Sequence, residues 1–124
     1  MAESVSPLSD FPVRVVDGFA VVTTPDEIDV GNAARFRAAL LTAADHGQRA
    51  IIVDMTGTEF CDSTGLNVLV RALRQADGAG GELRLAVGGT ALQRVLAVTG
   101  VATMFGVYPS LGEALQAAEP RQAG

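Results

Sequence analysis

Several residue types are scarce or missing in this chain of 124 residues, and each absence excludes a class of protein. A single cysteine, Cys61, excludes an internal disulfide and is typical of a reducing compartment, so we expect a cytoplasmic location. No apolar run approaches the roughly 20 residues that span a bilayer. Residues 1–12 also lack the basic start and apolar run of a secretory signal. The sequence therefore predicts neither a membrane segment nor a secreted protein.

Lysine is absent, and the nine basic residues are arginines scattered among 14 acidic residues, which gives a net charge of −5. Nonspecific binding of nucleic acid needs a basic face, so we expect no nucleic-acid partner. Tryptophan is absent and aromatics make up only 5%, whereas hydrophobic residues make up 48%. The core must therefore consist mainly of Val, Leu, Ile and Ala, in a chain whose length fits one compact domain.

Hydrophobic patterning predicts a flexible leader over residues 1–12, a folded domain over 13–118 and a loose tail over 119–124. The predicted element order in the domain is ββαβαβαβα. The predicted strands are 13–16, 19–24, 51–53, 83–87 and 104–107, and the predicted helices are 33–46, 62 or 63 to 78, 90–99 and 110–118. The strand at 51–53 is apolar without interruption, which favours a central position in the sheet. The pattern indicates an α/β fold with a mixed central sheet and about four helices packed against it.

Local signals set the turns and helix ends. Asp17-Gly18 predicts a hairpin, Asn32 predicts a helix cap, and Gly47 predicts a helix stop. The strings at 90–93 and 110–113 have the form of capping boxes. Helical spacing predicts buried positions at Phe36, Leu40, Ala43, Leu66, Leu69, Val70, Leu73, Leu92, Val95, Leu96 and Thr99.

The segment from Val53 to Leu66 joins the central strand to a helix. In open α/β sheets functional groups gather where strands end and the next helices begin. Asp62, Ser63 and Thr64 lie at such a junction, where the free N–H groups of a first helical turn stabilise an anion. Ser63 is therefore placed to carry a phosphate. The alternative is that these small polar residues are ordinary helix caps.

The same segment resembles the signature of STAS domains, and specifically of the bacterial anti-sigma-factor antagonists of the SpoIIAA and RsbV type. Two further strings, Glu27-Ile28-Asp29 and Thr99-Gly100-Val101, resemble other motifs of that family, and the likeness covers about residues 13–118. Asp26 and Asn67 replace glycines that are usual in the family. The signature residues matched are Asp54, Phe60, Asp62, Ser63, Thr64, Gly65 and Leu66.

The resemblance implies the STAS fold and a monomer without a cofactor that binds an ATP-dependent anti-sigma-factor kinase, so that a sigma factor is released. It further implies that the kinase phosphorylates Ser63 and that a PP2C-type phosphatase resets the switch. The partner-binding residues implied are Asp29, Asp62, Ser63, Thr64, Gly65, Leu66 and Asn67.

Three of these residues have alternative interpretations. Thr64 is either a second phosphoacceptor or a residue of the helix turn, and we favour the turn. Gly65 either admits a partner's backbone or fits the helix against the sheet. Asp29 either orients the docking surface or forms a turn before Asn32.

Enzyme chemistry is poorly supported. Ser63 needs a neighbouring base to act as a nucleophile, and His46, the one histidine, ends a different predicted helix. The chain has no Gly-x-Ser-x-Gly elbow, no Cys/His metal cluster and no phosphate-binding Gly-Lys motif, so we expect no catalysis and no metal site. Asp54 suggests a phosphorylated receiver, but a receiver needs a lysine. We expect Asp54 to fix the loop instead, and Cys61 to be a small apolar residue beside the switch, where redox sensing is the alternative.

The strongest rival function belongs to a different assembly. STAS domains also serve as unphosphorylated interaction modules in stress-signalling scaffolds and in transporter or lipid-transport complexes.

Overall fold

The structure is a computed structural model that describes residues 2–4, 9–46, 50–78, 81–103 and 106–117. The strands are Ala2–Ser4 (β1), Val13–Val16 (β2), Phe19–Thr23 (β3), Glu27–Ile28 (β4), Ala50–Asp54 (β5), Phe60–Cys61 (β6), Leu83–Ala86 (β7) and Gly106–Tyr108 (β8). The helices are Ala33–His46 (α1), Ser63–Gly78 (α2), Thr90–Val98 (α3) and Leu111–Gln116 (α4), with a 3-10 turn at Val101–Thr103. No helix among these is long and apolar enough to cross a bilayer.

The main sheet has the strand order β1-β2-β3-β5-β7-β8. The pairs β1·β2 and β2·β3 are antiparallel, and the remaining pairs are parallel. Asp17 (φ 53°) and Gly18 (φ 85°) join β2 to β3 with two positive φ angles, as the predicted hairpin requires. The apolar β5 lies between β3 and β7, which confirms its predicted central position.

Helices cover both faces of this sheet. One face packs against α1, α2 and α3 through side chains that include Phe36, Leu69 and Leu96. The other face packs against α4 through Ala114, which joins a smaller cluster with Phe19. The mixed sheet with four helices confirms the predicted fold class.

The N-terminal segment differs from the flexible leader expected over residues 1–12. Ala2–Ser4 pairs with β2 as an edge strand. Phe11 is fully buried and stacks on Phe36, with 5.1 Å between ring centroids. A leader of mixed composition gives no periodic signal, so the pattern indicated neither the short strand nor the burial of Phe11. The tail at 119–124, Ala118 and Gly47 lie outside the described residues.

The helix boundaries agree with most local predictions, with one correction. Ser110 caps α4 by accepting the Glu113 N–H at 3.1 Å, as predicted. The capping box predicted at 90–93 is wrong, because Gly89 is the cap residue and supplies no side-chain bond. Gln93 instead donates its side-chain amide to the Val87 carbonyl at 2.9 Å, which fixes the loop entering α3.

Fewer residues of α3 are buried than the helical spacing predicts. Leu92 and Leu96 are buried, whereas Val95 and Thr99 are exposed. The other predicted core positions lie in or against the main core. The last strand is Gly106–Tyr108, two residues later than its predicted start at Met104, which lies outside the described residues.

Candidate functional site

A second, two-stranded sheet builds the site. Strands β4 and β6 pair in parallel, with Glu27 opposite Phe60 and Ile28 opposite Cys61. The Asp26 carbonyl accepts the N–H groups of both Glu59 and Phe60, at 2.7 and 3.2 Å. This sheet was not predicted, because strands of two residues carry no periodicity that a sequence can reveal.

The parallel register places Asp29 and Asp62, the residues that follow the two strands, at the same end of this sheet. The Asp62 N–H continues the pairing by donating to the Ile28 carbonyl at 3.0 Å. Neighbouring strands lie about 4.8 Å apart. Two aspartates that are distant in the sequence therefore follow neighbouring strands at the end of the small sheet from which α2 begins.

The loop before β6 is held by buried hydroxyl groups. Thr58 donates to the Pro25 carbonyl at 2.6 Å and also hydrogen-bonds the Thr24 hydroxyl. Asp54 is buried and accepts both the N–H and the hydroxyl of Thr56, at 3.1 and 2.6 Å. These bonds confirm that Asp54 fixes the loop, as the sequence favoured.

Asp62 is the N-terminal cap of α2. Its Oδ1 accepts the Gly65 N–H at 3.0 Å, and its carbonyl accepts the Leu66 N–H at 3.0 Å. Of the three polar residues that were candidate caps, Asp62 is therefore the one that caps the helix. The hydroxyl groups of Ser63 and Thr64 are consequently not needed to begin the helix.

Ser63 and Thr64 are both exposed on the first turn of α2. Within the described ranges, neither hydroxyl has a hydrogen-bond partner, and neither backbone N–H donates to a protein acceptor. These two N–H groups are unpaired donors at the positive end of the helix dipole. The serine hydroxyl is therefore accessible, with two N–H donors close to it.

Gly65 lies where α2 crosses the small sheet. A Cβ placed on it would lie 2.7 Å from Cys61 Sγ and 2.7 Å from Ile28 Cγ2. The residue is buried. Of the two interpretations of Gly65, the structure supports the one in which the glycine lets α2 pack closely against the small sheet.

Asp29 is engaged in a local turn. Its Oδ1 accepts the Gly31 N–H at 2.8 Å, and its carbonyl accepts the Ala33 N–H at 2.9 Å. Asn32, the predicted cap of α1, instead reaches back, accepting the Asp29 N–H and donating to the Glu27 carbonyl. These contacts favour the turn interpretation and fix the Asp29 carboxylate in the turn before α1.

The remaining predicted docking residues differ in exposure. Leu66 is half-buried and packs against the main core, whereas Asn67 is exposed. Two large apolar side chains that sequence reasoning did not assign to the surface are also exposed: Phe60 (52%) and Val30 (78%). Phe60 precedes Asp62 by two residues and Val30 follows Asp29. The site thus combines an exposed serine, two aspartates and two exposed apolar side chains. Phe60 was identified from the sequence as a signature match, whereas no pattern in the sequence indicated Val30.

Cys61 is unsuited to redox sensing. It is buried, and burial reinforced by the charge of Asp62 raises the pKa of its thiol to about 12. Because the thiolate is the reactive form, the thiol is unreactive near neutral pH.

The only histidine lies far from Ser63. His46 is the last residue of α1. That helix has 14 residues, so His46 lies about 20 Å from the first residue of α1, which is at the end of the helix near the site. Its ring nitrogen contacts the Thr42 carbonyl at 2.9 Å. In the parts of the chain that the structure describes, no group of acidic, histidine or cysteine residues is arranged to hold a metal ion.

Comparison with known proteins places this site in a family. The chain matches the model of the STAS domain over residues 10–114. It is 25% identical over 112 residues to a candidate anti-sigma factor antagonist of Thermotoga neapolitana, covering 90% of this chain and 99% of that protein.

Solved structures agree. An anti-sigma factor antagonist from Mycobacterium paratuberculosis is 26% identical, with a TM-score of 0.78 over 97% of this chain and 96% of that one. The Bacillus cell-fate determinant SpoIIAA in its phosphorylated form has a TM-score of 0.65 over 85% of this chain and 96% of that one. At 20% identity, it shows the shared fold alone. The chain belongs to the STAS domain family.

Proposed function

We propose that this protein binds an anti-sigma factor with serine kinase activity, releasing a sigma factor, and that phosphorylation of Ser63 ends the binding. A PP2C-type phosphatase restores the unmodified form. In this proposal the protein is a cytoplasmic monomer that acts by binding and performs no catalysis.

The observation that supports the proposal is that different residues at the start of α2 have different roles. Asp62 caps the helix and Gly65 packs it, which leaves the Ser63 hydroxyl exposed and free of hydrogen bonds to the described residues. A kinase can therefore reach the hydroxyl without unwinding the helix.

Electrostatics explain why modification would release the partner. A phosphate adds about −1.5 to −2 charges at neutral pH. Asp62 is adjacent and Asp29 follows the neighbouring strand, so a phosphate adds negative charge to an acidic surface that faces a partner fitted to a neutral hydroxyl. Like charges brought together at an interface cost several kcal/mol. We expect phosphorylation to weaken binding by about 100-fold or more.

The same geometry explains why the fold would survive. The unpaired N–H groups of Ser63 and Thr64 and the positive end of α2 stabilise an added anion. Burial is not disturbed, because the side chain already lies in solvent. The switch therefore acts on the interface and requires no refolding.

The direct test incubates the purified protein with Mg-ATP and each candidate anti-sigma kinase from the same genome, then measures intact mass and maps the modified peptide. We expect one phosphate on Ser63, none on S63A, and normal modification of the matched control T64A. Affinity for the kinase should be kept by S63A and lost by S63D. Phosphate on Thr64, or tight binding by S63D, contradicts the switch. No phosphate with any kinase favours an unphosphorylated scaffold or transporter-associated module.

A further inference from the structure

A cavity of about 530 Å³ lies between α1 and α2 and reaches Ile51 of the strand beneath them. One wall is a helical stripe of α1 that contains Leu40, Leu41 and Ala44. The other wall comes from α2 and includes Val68 and Ala72. We call this space the α1–α2 groove.

The groove carries positive charge on a protein of net charge −5. Arg37, Arg71 and Arg74 line it, and no acidic residue is among its lining residues. Over the described ranges none of these three guanidinium groups makes an ion pair, whereas Arg35 pairs with Asp10 at 3.0 Å. Among the described residues, no ion pair therefore neutralises the basic character of the groove.

We propose that the α1–α2 groove binds a single-chain anionic amphiphile of the long-chain fatty carboxylate class. The hydrocarbon chain lies along Leu40, Leu41 and Val68, and the carboxylate is bound by Arg71 and Arg74. This ligand matches the charge of the groove, and the volume is within the range of small-molecule sites, about 300–1,000 Å³.

Two observations favour a hydrocarbon chain as the occupant. The groove reaches Ile51 of the sheet, so a chain bound in it contacts both helices and the strand beneath them. Leu41 leaves 47% of its surface in solvent on the groove wall, so apolar surface is available for burial. The proposal is independent of Ser63 and goes beyond the proposed function.

The test titrates dodecanoate, below its critical micelle concentration, into the full ¹⁵N-labelled chain and follows backbone amide shifts. We expect saturable shifts concentrated on residues 37–44 and 67–76. Dodecanol supplies the chain without the charge, and acetate supplies the charge without the chain. Both should bind at least about tenfold more weakly, because each lacks one of the two contacts.

Substitutions locate the head group. The double variant R71Q/R74Q should bind dodecanoate about tenfold more weakly, since it loses the charged contacts. The matched control R94Q changes an exposed arginine of α3 outside the groove and should bind like the wild type. No saturable binding, shifts scattered over the surface, or unchanged affinity of R71Q/R74Q would each overturn the proposal. Perturbation of the groove by a kinase partner but not by dodecanoate would assign it to protein docking.

Discussion

Replacing Gly65 by alanine tests the packing on which the site depends. The added Cβ would lie 2.7 Å from both Cys61 Sγ and Ile28 Cγ2. Ordinary contacts begin near 3.4 Å, so the helix or the small sheet must move by about 0.7 Å, close to the difference between these distances. Neither atom ends a long flexible side chain, because Ile28 and Cys61 are buried members of the core.

The expected cost follows from two opposing effects. Overpacking a close-packed site costs about 1–3 kcal/mol. Alanine is favoured over glycine within a helix by about 1 kcal/mol, which offsets part of that cost. The difference is about 0–2 kcal/mol, so we expect G65A to lower the free energy of unfolding by up to about 2 kcal/mol and the urea midpoint by up to about 1 M.

Urea unfolding followed by circular dichroism measures this effect. The matched control is G78A, the same exchange in the same helix, where an added Cβ meets nothing within 4 Å. G78A should match the wild type or exceed its stability by up to about 1 kcal/mol. A G65A protein as stable as G78A would refute the packing explanation and return Gly65 to a role in admitting a partner.

Two further predictions concern buried polar groups. The pKa of the Cys61 thiol is about 12 in the folded protein against an ordinary value of 9.0. The stability that the neutral thiol contributes to the folded state is therefore fully present below pH 9 and is lost as the pH rises toward 12. Urea midpoints measured from pH 7 to 11 should fall above pH 9 in the wild type and fall less in C61A; equal slopes would contradict this. Arg84 is fully buried, donates to Glu82 at 2.7 Å and to the Ala114 carbonyl at 2.6 Å, and R84A should lose about 3–5 kcal/mol because these acceptors lose their donor. Thermal unfolding measures this loss, for which R94Q is the surface control, and a loss below about 1 kcal/mol would contradict it.

Strong local signals explain what the sequence predicted correctly. The hairpin at Asp17-Gly18 depends on φ angles that these two residue types tolerate. Helix α1 has its predicted bounds, and β5 is central because its apolar run suits burial on both faces. In each case the determining interaction lies within a few residues or follows from composition alone.

Contacts between distant residues explain what was missed. The pairing of β4 with β6 joins residues 33 apart in the sequence, and the Thr24–Thr58 bond joins residues 34 apart. The residues at 90–93 match the capping-box pattern, but Gln93 donates its side-chain amide to the Val87 carbonyl and does not cap the helix. Arg84 was also unforeseeable, since a charged residue in a strand normally predicts an exposed face.

The arrangement at the start of α2 explains how, in the proposed switch, one short motif fixes the helix and also accepts a phosphate. The two contacts that fix the helix belong to Asp62 and Gly65, which lie on either side of the exposed pair Ser63 and Thr64. If the serine were also the cap, a phosphate would remove the hydroxyl acceptor that begins the helix. Because the aspartate provides that acceptor, charge added to Ser63 changes the surface while the capped and packed helix keeps its position. The proposed regulation by charge at this position therefore depends on Asp62 and Gly65 as well as on the serine.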